Sequence, residues 1–235
     1  MGKILTIAEI GHNHQGDMKL AKQMIWRAKT CGADIAKFQL YDIDYIMKTT
    51  DEHYQELKDS QLTKDQLALL YRECQEAEIE FLTSVFDAER VGWTEELGMK
   101  RYKIASRSVY DRELISAVEK TGKDVICSLG MWKGKELPRI ETKGKVDFLF
   151  CVSKYPTRDE DLENFYGLDF KTYSGFSDHT IGIQWAIVAM VLGAKIIEKH
   201  FTLDKNMVGC DQAGSANPYE LGQLIACAGR IEGIR

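Results

Sequence analysis

The sequence has no two cysteines close enough to form a CxxC pair. Its six cysteines, Cys31, Cys74, Cys127, Cys151, Cys210 and Cys227, are scattered along the chain. This pattern argues against a local zinc cluster or a disulfide framework and fits a reduced, cytoplasmic setting. No apolar run approaches the ~20 residues of a membrane-spanning helix. The opening MGKILTIAEIG carries one lysine and an internal Glu9, which is not the pattern of a secretory leader. Positive charge is not in excess: 31 Lys and Arg stand against 36 Asp and Glu, for a net charge of −5. That excludes a nucleic-acid or anionic-membrane surface built on bulk charge. Prolines number only three, and no low-complexity stretch marks a linker. No GxGxxG or GxxxxGK[ST] loop follows any strand-like run, so neither phosphate-cradling fingerprint is present. One domain over residues 1–235 is expected.

What the chain does contain is alternation. Short β-branched or aromatic runs alternate with helix-spaced apolar patterns. The expected strands are Ile4–Ile10, Ile35–Tyr41, Glu80–Phe86, Arg101–Ser106, Asp124–Gly130, Asp147–Tyr155, Thr172–His179 and Ala194–Thr202. The expected helices are Met18–Cys31, Thr63–Ala77, Ala88–Leu97, Asp111–Thr121, a short one near Lys133–Ile140, Ile181–Leu192 and Pro218–Ile231. A polar insert runs from Asp42 to Leu62, and its Tyr45 and Tyr54 either form a lid or pack on a helix. Eight βα units divide the 235 residues into roughly 29 each, which fits an α/β fold of the (β/α)8 TIM barrel type. The competing architecture, an open doubly wound sheet, lacks its glycine-rich loop.

A barrel places its chemistry at the C-terminal strand ends. There the sequence puts Glu9 with His12, Asn13 and His14, then Lys37 and Gln39, Thr83, Ser84 and Asp87, and Lys103 with Ser106 and Ser108. Ser128 and Gly130 follow, then Ser153, Lys154 and Tyr155, then Ser177, Asp178 and His179, and finally Glu198, Lys199 and His200. Strands buried on both faces should read as continuous apolar runs, and a lysine within one is costly unless paired. Lys37, Lys103 and the serines form a pattern suited to a phosphate or carboxylate. His179 and His200 lie on adjacent strands near Glu198, a plausible divalent-metal set, although spacing does not exclude His12 or His14. Closure of strand 1 on strand 8 should bring Glu9 to Glu198 and His200. Five cysteines read as structural thiols, and Cys210 stands apart in the loop after the last strand.

Eight ordered blocks carry a resemblance: IAEIGHNHQGD, AKFQ, FLTSVFD, KIAS, SLGM, CVSKYPT, GFSDHTIG and IIEKHFTLD. Together, over about residues 4–232, they resemble the sialic acid synthase (N-acetylneuraminate synthase) family. The resemblance implies condensation of phosphoenolpyruvate with an acylamino sugar aldehyde, with C–O cleavage, release of phosphate and formation of a 2-keto sugar acid. By motif, Lys37, Ser84, Lys103, Ser106, Ser128, Ser153, Tyr155 and Ser177 would hold phosphoenolpyruvate. His179 and His200 would hold Mn2+ or Mg2+. Glu9 and Asp211, with Glu198 beside them, are the expected catalytic carboxylates, and Gln39 is a further substrate contact. The family's C-terminal antifreeze-like domain is not expected within residues 1–235, so either the sugar is bound differently, a homodimer partner or a separate chain completes its pocket, or the substrate is not an N-acetyl sugar. Ser108, Leu129, Phe150 and Gln212 depart from an acidic residue, a threonine and two histidines common in the family. The phosphoenolpyruvate and metal positions are thus mostly kept while acceptor positions change. A Schiff-base aldolase or 3-deoxy-sugar-acid synthase, and a non-catalytic binding barrel, are the alternative readings.

Overall fold

A computed structural model describes residues 3–234. Its eight strands run in parallel and close in chain order into one barrel. They are β1 (Leu5–Gly11), β2 (Ile35–Leu40), β3 (Glu80–Val85), β4 (Arg101–Ile104), β5 (Asp124–Ser128), β6 (Val146–Cys151), β7 (Gly175–Asp178) and β8 (Ile196–His200). The helices are α1 (Met18–Cys31), α2 (Ile43–Ile46), α3 (Tyr54–Ser60), α4 (Lys64–Glu76), α5 (Ala88–Glu96), α6 (Arg112–Thr121), α7 (Gln184–Leu192) and α8 (Pro218–Ile234). None of them is long and apolar enough to cross a membrane.

Local chemistry explains the helix boundaries. Asp17 caps α1 by accepting from the amides of Lys19 and Leu20, and Gly32 ends it at φ 95°, where a side chain would be strained. The buried face of α1 is Ala21, Met24, Ile25 and Ala28, the helical spacing visible in the sequence. Thr63 and Gln66 form a reciprocal capping box on α4. Asp87 and Asp111 accept from the amides of Arg90 and Leu114 at the starts of α5 and α6. These two aspartates therefore serve helix ends.

Two units lack an α-helix after their strand: one where a helix is expected and one where none is. The helix expected near residues 133–140 does not form. Pro138 cannot donate within such a helix, and Gly134 weakens it. Instead Trp132 stacks on Tyr110, with ring centroids 5.0 Å apart, and its indole donates to the Glu136 carbonyl. After β6 the chain makes only 3-10 turns at Asp159–Leu162 and Phe165–Gly167. The polar insert resolves into α2 and α3. Its apolar residues join Tyr41 and Phe86 in a separate cluster with Ile43, Tyr54 and Leu57. Tyr54 is thus a packing residue, while Tyr45 is exposed.

Candidate active site

Strand register brings the polar residues together. Glu9 lies opposite Lys37 on one side and His200 on the other. Gln39 pairs with Ser84, Ser84 with Lys103, and Ser177 with Glu198. A register shift between Glu9 and Gly11 bends β1 at the mouth. Gly11 has φ 56°, and a Cβ there would stand 3.2 Å from both the Gln39 amide nitrogen and Glu9 Oε1. A glycine is therefore required where the chain passes over these two side chains.

The axial charges form one connected cluster. Lys37 Nζ lies 2.6 Å from Glu9 Oε2 and 3.6 Å from Glu198 Oε2. Lys103 Nζ lies 3.5 Å from Glu198 Oε1. Lys37 donates to Ser84 Oγ at 3.1 Å and Lys103 to Ser128 Oγ at 2.7 Å. Ser177 donates to Glu198 Oε1 at 2.9 Å, and Gln39 to Glu9 Oε1 at 3.0 Å. All four charged groups are buried. An unpaired ion at such depth costs several kcal/mol, so the charges must compensate one another.

That compensation is unequal. Burial would push Glu198 up, but Lys103 and Lys37, with the Ser177 hydroxyl, outweigh it and hold the carboxyl at about 2. Glu9 meets the same burial with less cationic help and with Glu198 nearby, and it rises to about 7. Two carboxylates of one cluster are thus driven apart, one kept ionised and one poised near neutrality, an arrangement typical of acid–base sites.

The histidines lie at the rim of this cluster. His179 Nδ1 stands 2.7 Å from the Val152 carbonyl, which can only accept. The proton is therefore on Nδ1, and Nε2 is left with a lone pair, the usual way a protein presents a metal-binding imidazole. Burial, reinforced by His200, lowers His179 to about 4, so it is neutral at ordinary pH. The two imidazole centroids are 5.6 Å apart. Asp211 Oδ2 lies 3.2 Å from His200 Nδ1. Burial raises Asp211, but the imidazoles of His200, His12 and His179 more than offset it and keep the carboxylate ionised. Burial also lowers His200, and two imidazoles beside an ionised carboxylate fit a divalent cation.

Above them opens a cleft of about 580 Å3. Gln39, Ser106, Ser153, Tyr155, His200 and Asp211 line it, while Lys37, Ser84, Lys103, Ser128, Ser177 and His179 are not among its lining residues. Tyr155 lies against His179, with centroids 4.3 Å apart. Ser106 Oγ accepts from the Gly130 amide and lies 2.9 Å from Cys151 Sγ. Ser153 Oγ is buried with no hydrogen-bond partner among the described residues.

Other strand-end residues point elsewhere. Lys199 pairs with Asp178 at 3.1 Å, both buried away from the axial cluster's ion pairs. Lys154 reaches Asp161 on the surface. His14 packs near Phe38 and accepts from the Gly16 amide. Period-two alternation explains Lys199 and Asp178, since each is one residue out of phase with the inward-facing set. Sequence reasoning did not single out Arg107, Met131, Met47 or Ile46, which also line the cleft. They sit on loops and the insert, where no periodicity marks an inward direction.

Comparison with known proteins gives a consistent answer. A family model described as the NeuB family matches residues 24–234. An N,N'-diacetyllegionaminic acid synthase of Campylobacter jejuni is 35% identical, over 99% of this chain and 77% of its own length. The human N-acetylneuraminate-9-phosphate synthase is 33% identical, over 96% of this chain and 69% of its own. The crystal structure of an N-acetylneuraminic acid synthetase from Leptospira borgpetersenii, in complex with citrate, superposes with a TM-score of 0.93 at 32% identity. That match covers 99% of this chain and 85% of the other.

Proposed function

Because the chain belongs to the NeuB family, a family of phosphoenolpyruvate-condensing transferases, we propose that it joins phosphoenolpyruvate to an aldose, N-acetylmannosamine-like or a related amino sugar. The products are phosphate and a sialic-acid-type 2-keto sugar acid, with cleavage of the C–O bond of phosphoenolpyruvate. The observation that carries this reading is the buried cluster of Lys37, Lys103, Ser84, Ser128 and Ser177 around Glu198 and Glu9.

Each residue has a role in that reading. Lys37 and Lys103 bind the carboxylate and phosphate of phosphoenolpyruvate as point charges, with Ser84, Ser128 and Ser177 supplying hydroxyls. Ser106, Ser153, Tyr155 and Gln39 contact the substrates from the cleft wall. Glu198 stays ionised and holds both ammonium groups in place before substrate arrives. Glu9, poised near neutrality, takes the proton of the water that adds to C2 of the enol phosphate. Asp211 orients His200 and faces the acceptor side of the mouth. His179 and His200 would hold Mn2+ or Mg2+, which supplies Lewis-acid polarisation of the acceptor carbonyl.

Mixing the protein with phosphoenolpyruvate, Mn2+ and a panel of aldoses should release phosphate only when both substrates are present. Absence of release with every acylamino hexose and simple aldose would remove the acceptor assignment. A Schiff-base aldolase is disfavoured by the lysines themselves. Burial would lower Lys37, yet Glu198 and Glu9 raise it above the usual lysine value and keep it a cation. Borohydride with pyruvate should therefore leave no adduct on Lys37.

A further inference from the structure

Beside the His179/His200 pair lies a second donor set, whose His12 and Cys210 have no part in the proposed reaction. His12 Nε2 stands 3.3 Å from Cys210 Sγ, 3.6 Å from Asp211 Oδ2 and 3.6 Å from Glu56 Oε1. The donor atoms of His12, Cys210 and Asp211 all lie within 4.8 Å of one another. Around a tetrahedral dication, with metal–nitrogen and metal–oxygen bonds of about 2.0–2.1 Å and a metal–sulfur bond of about 2.3 Å, neighbouring donors stand about 3.3–3.6 Å apart. The observed separations from His12 fall within that range. His12 is also buried, at 6% exposure, and its Nδ1 has no hydrogen-bond partner among the described residues. Two carboxylates converge on this one imidazole, a concentration of negative charge that a cation would balance.

We propose that His12, Cys210 and Asp211, with Glu56 at their edge, form a second metal site that takes a thiolate-preferring divalent ion such as Zn2+ or Co2+. A sulfur donor beside an imidazole selects such ions over Mg2+ or Mn2+. Asp211 is the one residue shared with the His179/His200 pair, so its carboxylate lies between the two sites. Glu56 comes from α3 and Cys210 from the loop after β8, and their contact already runs from the Cys210 amide to Glu56 Oε1 at 2.9 Å. An ion held here fastens the loop after β8 to the end of β1, beside α3 of the insert.

The test is Co2+ added to the metal-stripped protein, read as thiolate-to-cobalt charge-transfer absorption in the near ultraviolet. The native chain should show that band, and Cys210→Ser, which keeps the side-chain shape, should abolish it. His12→Gln should weaken the Co2+ affinity reported by the band by roughly tenfold or more. His179→Ala should retain the band, because His179 lies outside this donor set. Absence of the band in the native protein, its survival in Cys210→Ser, or its loss in His179→Ala would each overturn the assignment. Circular dichroism on every variant separates loss of the ion from loss of the fold.

Discussion

Glu9 and Glu198 share one buried cluster and yet titrate far apart, and their difference makes the chemistry testable. Glu198 has two ammonium partners and Glu9 one, so desolvation prevails only at Glu9. With a carboxyl at about 7 acting as the base, kcat/KM should rise with pH through that region as Glu9 loses its proton. Glu9→Gln should flatten that limb and lower kcat by about 10²–10⁴-fold, the usual contribution of general acid–base catalysis. A pH profile of phosphate release checks both. Lys37 has a structural duty as well, because it neutralises both carboxylates. Lys37→Met leaves a buried carboxylate uncompensated and should cost about 3–5 kcal/mol of stability, measured by urea denaturation.

Most helices were readable from caps and spacing. Thr63 with Gln66 marked the start of α4, and Gly32 and Gly122 marked the ends of α1 and α6. Thr63→Ala should therefore cost about 1 kcal/mol in denaturation with little change in turnover, since the cap lies outside the cleft. The short helix expected near residues 133–140 was misread because Pro138 and Gly134 outweigh a few apolar residues. Inward-facing residues on strands were legible for a physical reason: Lys37, Lys103, Glu198 and Ser177 are polar where a barrel interior should be apolar. The His12, Cys210 and Asp211 set was not, because it joins residues nearly 200 positions apart through loops without periodicity. Gly175 carries a constraint that its sequence context does not reveal. A Cβ there would collide with the Ile196 carbonyl on β8. Gly175→Ala should therefore pry β7 from β8 and lower both stability and metal retention, as thermal unfolding and metal content would show.

The barrel as a whole gathers strand ends from the entire chain into one mouth, so the site exists only when β1 closes on β8. That closure sets Glu9 against His200 and joins the buried lysine–carboxylate cluster to the histidine rim. The chain belongs to the NeuB family, and the Leptospira synthetase superposes on the same barrel. The central claim is cleavage of the C–O bond of phosphoenolpyruvate during condensation. Phosphoenolpyruvate carrying oxygen-18 in its bridging position tests it directly, with the released phosphate examined by mass spectrometry. The label should leave with the phosphate. Label retained in the keto acid, with none in the phosphate, would mean P–O cleavage and would contradict the account.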